Sequence, residues 1–82
     1  LPDAGEAVRF AAVTTCFAVN EPEALPAMIA ALEEEESLRV KNRIAQGLAE
    51  RGWPVPEELQ ETCKQSLPPD FRLDGERVRR TG

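Results

Sequence analysis

Histidine and tyrosine are absent from this 82-residue chain, which has only two cysteines, one tryptophan and three phenylalanines. Without histidine, the chain lacks the commonest general base and the commonest metal ligand. The scarcity of aromatic residues disfavours a small β-sandwich or barrel and favours helices. Cys16 and Cys63 are too few for a disulfide framework, so we expect two reduced thiols in a cytoplasmic protein.

Long apolar runs are also missing, because no stretch approaches the ~20 residues that span a bilayer. The formal net charge is −5. An acidic total disfavours attachment to an anionic membrane surface and also disfavours general nucleic-acid binding, in which phosphate neutralisation supplies most of the affinity. We therefore expect neither a membrane nor a nucleic acid as a partner. The length sets a limit of one small domain.

Apolar residues recur at helical spacing in four segments. The segments are residues 5–19, 23–34, 37–51 and 56–66. Asp3 is the expected N-cap of the first segment, which is apolar on nearly every side. Pro22 begins the second segment, and Gly52 has the position of a C-terminal helix glycine after the third. The sequence thus predicts four helices.

These four segments match in pairs. A shift of 32 residues superimposes the first segment on the third: Val8 on Val40, Ala12 on Ile44, Cys16 on Leu48, and Asn20 on Gly52. A shift of 34 residues then places Leu25 on Leu59 and Ile29 on Cys63. A helix-turn-helix unit that occurs twice is typical of an α-solenoid.

The stretches "VRFAAVTTCF", "PEALPAMIAAL" and "VKNRIAQGLAERG" resemble the HEAT-like repeat family, in the short bacterial form also found in phycobilin lyases. The resemblance covers about residues 5–67. It implies an all-α fold, a short α-solenoid of two repeats at about 5–34 and 37–67. The residues that follow, 68–82, are predicted from their own composition to form an irregular C-terminal tail. The motif indicates a fold and leaves the function open. The acidic run "EEEE" replaces the aspartate that is usual between such repeats.

The two ends of the expected stack differ in polarity. Interior helices of a stack are covered on both sides, whereas terminal helices carry a polar outer face. The first segment has almost no polar side, so we expect a neighbour to cover Phe10, Val13 and Phe17. That neighbour is earlier repeats of a longer chain, a second copy or another protein. The alternative is that the C-terminal tail folds back over this face.

Three further features each have two interpretations. Trp53 is either an exposed interface anchor or a lid over the helix ends. Phe71 belongs to a tail that either orders on a partner or packs against the last helix pair, with Asp74 and Gly75 suggesting a tight turn. The run Glu33–Glu36 is either a docking site for a basic partner or a solvated turn that leads into the basic residues of the third helix.

Taken together, these observations predict a non-catalytic protein-interaction module with no cofactor and no metal. Its predicted partner-binding residues are Phe10, Val13, Phe17, Trp53 and Phe71. The partner is another protein or a second copy, bound through the first helix.

Two other functions are weaker alternatives. The resemblance alone suggests a fragment of a HEAT-like enzyme such as a chromophore lyase. However, Cys16 has no histidine partner, and the sequence contains no glycine-rich phosphate loop or metal-ligand spacing. DNA binding through Arg39, Lys41, Arg43 and the tail arginines is disfavoured by the acidic balance.

Overall fold

The computed structural model describes residues 4–81, which form four α-helices, a short 3-10 turn and a β-hairpin. In chain order the elements are α1 (Ala4–Val19), the 3-10 turn (Pro22–Ala24), α2 (Leu25–Glu34), α3 (Leu38–Arg51), α4 (Glu57–Ser66), β1 (Phe71–Asp74) and β2 (Arg77–Arg80). The prediction of a mostly helical chain with four helices is confirmed. The predicted N-cap, Asp3, lies outside the described residues.

Local sequence signals define the ends of α1 and α3. The Ser37 hydroxyl accepts a hydrogen bond from the Val40 amide at 3.3 Å and caps the start of α3. At the other end, Gly52 has a left-handed backbone with φ of 66°, and its amide donates to the Leu48 carbonyl. Asn20 ends α1 with φ of 60°. The two residues that the 32-residue shift superimposes therefore end their helices in the same backbone conformation.

Helices contact each other in a regular order, with α1 on α3 and α2 on α4. Three contacts along α1 show its direction relative to α3. Glu6 lies 4.0 Å from Arg39, Thr14 accepts from Arg43 at 3.2 Å, and Phe17 accepts through its carbonyl from Arg51 at 2.8 Å. Because both sets of partners advance together along the chain, α1 and α3 run parallel.

The C-terminal tail is a β-hairpin, so the prediction of an irregular tail is wrong. Strands β1 and β2 are antiparallel, with Leu73 opposite Val78 and a turn at Gly75, where φ is 68°. Apolar side chains alternate with charged ones, and β2 packs on α3 while β1 packs on α4. The Val55 amide also donates to the Glu76 carbonyl. The hairpin therefore packs on both helices of the second pair.

One continuous core joins both helix pairs and the hairpin. Its completely or almost completely buried side chains include Phe17, Ile29, Leu32, Val40, Ile44, Leu48, Val55, Cys63 and Val78. Phe17 is central, because its ring contacts the position of Gly47 on α3, where a Cβ atom would overlap it. Within residues 4–81, no helix has the length and apolar character needed to cross a membrane.

Candidate partner-binding face

The side chains that the sequence singled out for partner binding are mostly in the core. Val13 is 5% exposed, Phe17 0%, Trp53 4% and Phe71 8%, while Phe10 is half-buried. The sequence predicts that earlier repeats, a second copy or another protein covers these α1 residues, whereas in the structure the chain itself buries Val13 and Phe17. The physical reason is that this side of α1 packs on α3, whose glycine gives the Phe17 ring room to enter.

Trp53 likewise is not an exposed anchor. Its ring lies 5.3 Å from the Phe17 ring, and its indole nitrogen donates to the Asn20 side-chain oxygen at 3.3 Å. It thus closes the core at the ends of α1 and α3, as the lid interpretation predicts. Phe71 is buried on β1, and the Arg80 guanidinium lies 5.4 Å from its ring centroid. This agrees with packing against the last helix pair.

A different side of α1 is exposed. Five of its exposed residues, Val8, Ala11, Ala12, Thr15 and Val19, recur at helical spacing. Val8 and Val19 are 64% and 62% exposed. Together with exposed Ala31 of α2, these five form a surface that we call the leading face. Its residues carry no charge, and in the described part of the chain no element packs over it.

A cleft of about 180 Å³ opens in the leading face between α1 and α2. Its walls are mainly apolar and include Ala12, Cys16, Met28 and Ala31, with Ile44 of α3 among the deeper residues. The volume is comparable with that of a 150 Å³ cavity that holds one benzene molecule. The cleft thus has room for about one large apolar side chain.

An ion pair between Arg9 and Glu35 borders this cleft. The Arg9 guanidinium donates two hydrogen bonds to the Glu35 carboxylate, both at 2.8 Å, and the Ser37 amide donates a third at 3.0 Å. The Glu35 side chain is only 4% exposed. The hydrogen bonds from Arg9 hold the pKa of this carboxyl below its usual value, although burial opposes the shift.

The rest of the acidic run behaves differently. Glu33, Glu34 and Glu36 are exposed, so only Glu35 is used for an internal contact. That contact reaches Arg9 on α1 instead of a base on α3. The solvated-turn interpretation therefore describes Glu33, Glu34 and Glu36, whereas Glu35 is buried against Arg9 of α1.

Several arginines proposed for DNA contact have internal partners. The Arg39 guanidinium lies 4.3 Å from the Phe10 ring centroid, and Arg43 donates to the Thr14 hydroxyl. In the hairpin, Arg79 pairs with Asp74 at 3.1 Å. These contacts give the arginines structural roles that the sequence did not reveal.

The two cysteines lie in different surroundings. Both thiols are free, and Cys16 lines the cleft while Cys63 is fully buried. Burial raises the pKa of the Cys63 thiol to about 11, which keeps it protonated and unreactive at neutral pH. Among residues 4–81, no group of three or more acidic or cysteine side chains is placed to hold a metal ion.

A signal for the leading face was present in the sequence. The 32-residue shift places Val8, Ala12 and Thr15 on Val40, Ile44 and Gly47, and all three of these α3 residues are buried. The predicted residues Phe10, Val13 and Phe17 include the two largest side chains of α1 and lie on its other apolar side. In a helix with two apolar sides, however, side-chain size does not show which side the chain itself covers.

No protein-family model, no curated protein and no solved structure matches this chain.

Proposed function

We propose that this protein is a non-catalytic interaction module built as a short stack of two HEAT-like helix pairs, with the leading face as its binding surface. The first pair is α1 and α2, the second is α3 and α4, and the hairpin is a terminal cap. The partner is a helical element that extends the stack beyond α1.

The order of packing supports this arrangement. Equivalent helices pack on each other, α1 on α3 and α2 on α4, and the first of these pairs is parallel. Nearest-neighbour packing of this kind is how helical repeats bury a common core. The hairpin packs on the second pair, with Phe71 and Val78 buried in the core and arginines exposed. Such a polar outer surface is typical of a terminal cap.

The equivalence of two surfaces carries the proposal. The part of α3 that contacts α1 includes Arg43, Gly47 and Arg51. The 32-residue shift maps these positions onto Ala11, Thr15 and Val19 of the leading face. The exposed side of α1 is thus the counterpart of the side of α3 that receives a helix. Repetition of the same packing places another helix over α1.

Composition of the leading face supports the same conclusion. A helix that is apolar on all sides is normally buried on all sides. Here Val13 and Phe17 fill one side, while Val8, Ala11 and Val19 are left in water on the other. Contiguous exposed apolar surface marks interaction sites in soluble proteins. Burial of this surface by a partner would remove it from water.

Position-specific photo-crosslinking in cells that produce the protein tests this proposal. A photoreactive amino acid replaces Thr15, at the centre of the leading face, or Gln65, an exposed residue of α4. We expect a discrete protein adduct from position 15 that is absent from position 65. Ala12→Glu should remove this adduct, because it buries a charge in an apolar interface.

Ala30→Glu is the matched control for the charge. Ala30 is an exposed alanine of α2 that does not line the cleft, so its replacement should leave the adduct intact. Equal adducts from positions 15 and 65, or no adduct from position 15, would refute the proposal.

A further inference from the structure

We infer that the partner helix is amphipathic and inserts one leucine-sized side chain into the cleft between α1 and α2. This inference rests on the proposed function, since it specifies which class of helix the leading face binds. Recognition would follow the helix-in-groove mode, in which apolar anchors spaced along one side of a helix enter a hydrophobic groove.

The dimensions and lining of the cleft specify the anchor. A volume of about 180 Å³ exceeds what an alanine side chain can fill. The exposed wall residues, Ala12 and Ala31, have short side chains. Met28 has a flexible side chain that adapts to the shape of what it contacts. Apart from Arg9 and Glu35, which are bonded to each other at its border, the lining is apolar, so a polar or charged side chain inserted there would lose hydrogen bonds to water.

The protein already contains an interaction of this type. On its buried side, α1 inserts the Phe17 ring at Gly47, the smallest residue of the receiving helix. The equivalent position on the leading face is Thr15, which lies outside the cleft lining but one helical turn from Ala12 of the cleft wall. A small-residue surface again faces outward, so the partner has to supply the large side chain. The internal packing of α1 on α3 thus predicts the composition of the external partner.

A second copy of the chain is a poorer fit. Across residues 4–81, the large hydrophobic side chains that are strongly exposed are Val8, Val19 and Leu38. Both valines belong to the leading face itself and are shorter than the cleft requires. Leu38 is isolated between Glu36 and Arg39, both exposed, so its insertion would bring charges against an apolar surface. The hairpin offers an outer face with Arg72 and Arg79, which is no better.

Two designed amphipathic peptides provide the probe. They have the same charge and helicity and a leucine at each turn of the apolar side, except that the central leucine is alanine in the second peptide. Binding to the full chain is measured by isothermal titration calorimetry. We expect the leucine peptide to bind roughly 10- to 50-fold more tightly, because the central side chain adds three buried carbons.

Adjacent alanines of α2 give a matched pair of protein variants. Ala31→Leu fills the cleft from its own wall, so the preference for the leucine peptide should fall to less than about threefold. This smaller preference is what the central leucine retains when it contacts only the edge of the cleft. Ala30→Leu introduces the same side chain outside the cleft and should retain the preference. Thermal unfolding of both variants verifies that they are folded.

The outcomes separate this inference from the proposed function. Equal binding of the two peptides to the natural chain, or a preference that survives Ala31→Leu, would overturn the anchor. If the crosslink from position 15 were still observed, the interaction module would stand without it. Self-association in sedimentation that Leu38→Asp abolishes would identify a second copy as the occupant and would also overturn the inference.

Discussion

Replacement of Gly47 by alanine should destabilise the protein, although alanine is the better helix former. In an exposed helix interior this change stabilises by about 1 kcal/mol. Here the added Cβ would overlap the Phe17 ring, which is fully buried. The ring has little room to retreat, because Trp53 lies 5.3 Å away and the Arg43 guanidinium lies 5.5 Å away.

The magnitude follows from these opposing terms. Overpacking of a tight core costs about 1–3 kcal/mol, and the absence of free space around Phe17 puts this site at the upper end. After the gain in helix propensity is subtracted, we expect a net loss of about 2 kcal/mol in the free energy of unfolding. For a domain of this size, that loss lowers the Tm by about 8–16 °C.

Urea unfolding followed by tryptophan fluorescence measures the effect directly. Trp53 is the only tryptophan in the chain and contacts Phe17, so its emission reports on this part of the core. The control is a double-mutant cycle with Phe17→Leu, in which the smaller side chain frees space and Gly47→Ala should cost far less. A stabilisation of about 1 kcal/mol by Gly47→Ala alone would refute the packing argument.

Three further predictions concern other parts of the fold. Glu35→Gln should lower the stability at neutral pH. The pKa of Glu35 is lowered in the folded state, so its ionised carboxylate stabilises the fold at pH values above about 4.3, the pKa of a glutamate in the unfolded chain. In pH-dependent urea unfolding, this deficit should shrink as the pH falls below about 4; an unchanged deficit would contradict it, and Glu36→Gln is the control. Val78→Ala should cost about 2 kcal/mol in thermal unfolding, whereas Arg79→Ala, on the exposed side of β2, should change stability by less than about 1 kcal/mol; equal effects would show that the hairpin is not part of the core. In native protein a thiol reagent should modify Cys16 well before Cys63, which is fully buried. Mass spectrometry of the labelled peptides measures the order, and earlier labelling of Cys63 would contradict the prediction.

Helix positions were accessible to sequence reasoning because their signals are local. The apolar period of α2 and the terminal glycine Gly52 act within one or two helical turns, and the structure has them in those roles. The turn at Gly75 was foreseen for the same reason. The pairing of β1 with β2 was not, since its strands are short and rich in arginine, and they form only with the helices beneath them.

The candidate site was harder to predict. Phe10, Val13 and Phe17 lie on one side of α1 and Val8, Ala12 and Val19 on another, so both sides are apolar. Periodicity identifies such a helix but does not show which side the rest of the chain covers. The choice follows from a contact between residues 30 positions apart, the Phe17 ring and Gly47. The ion pair of Arg9 with Glu35 is also non-local and had no signal in the spacing.

The sequence by itself determined the four helices and their ends, because these depend on hydrogen bonds and side-chain periods within each segment. Only the tertiary structure decided which side of α1 is buried, how the tail folds, and where the cleft lies. Those features depend on the fit of volumes between segments that are distant in the chain, and side chains of similar polarity differ in how well they fill a given space.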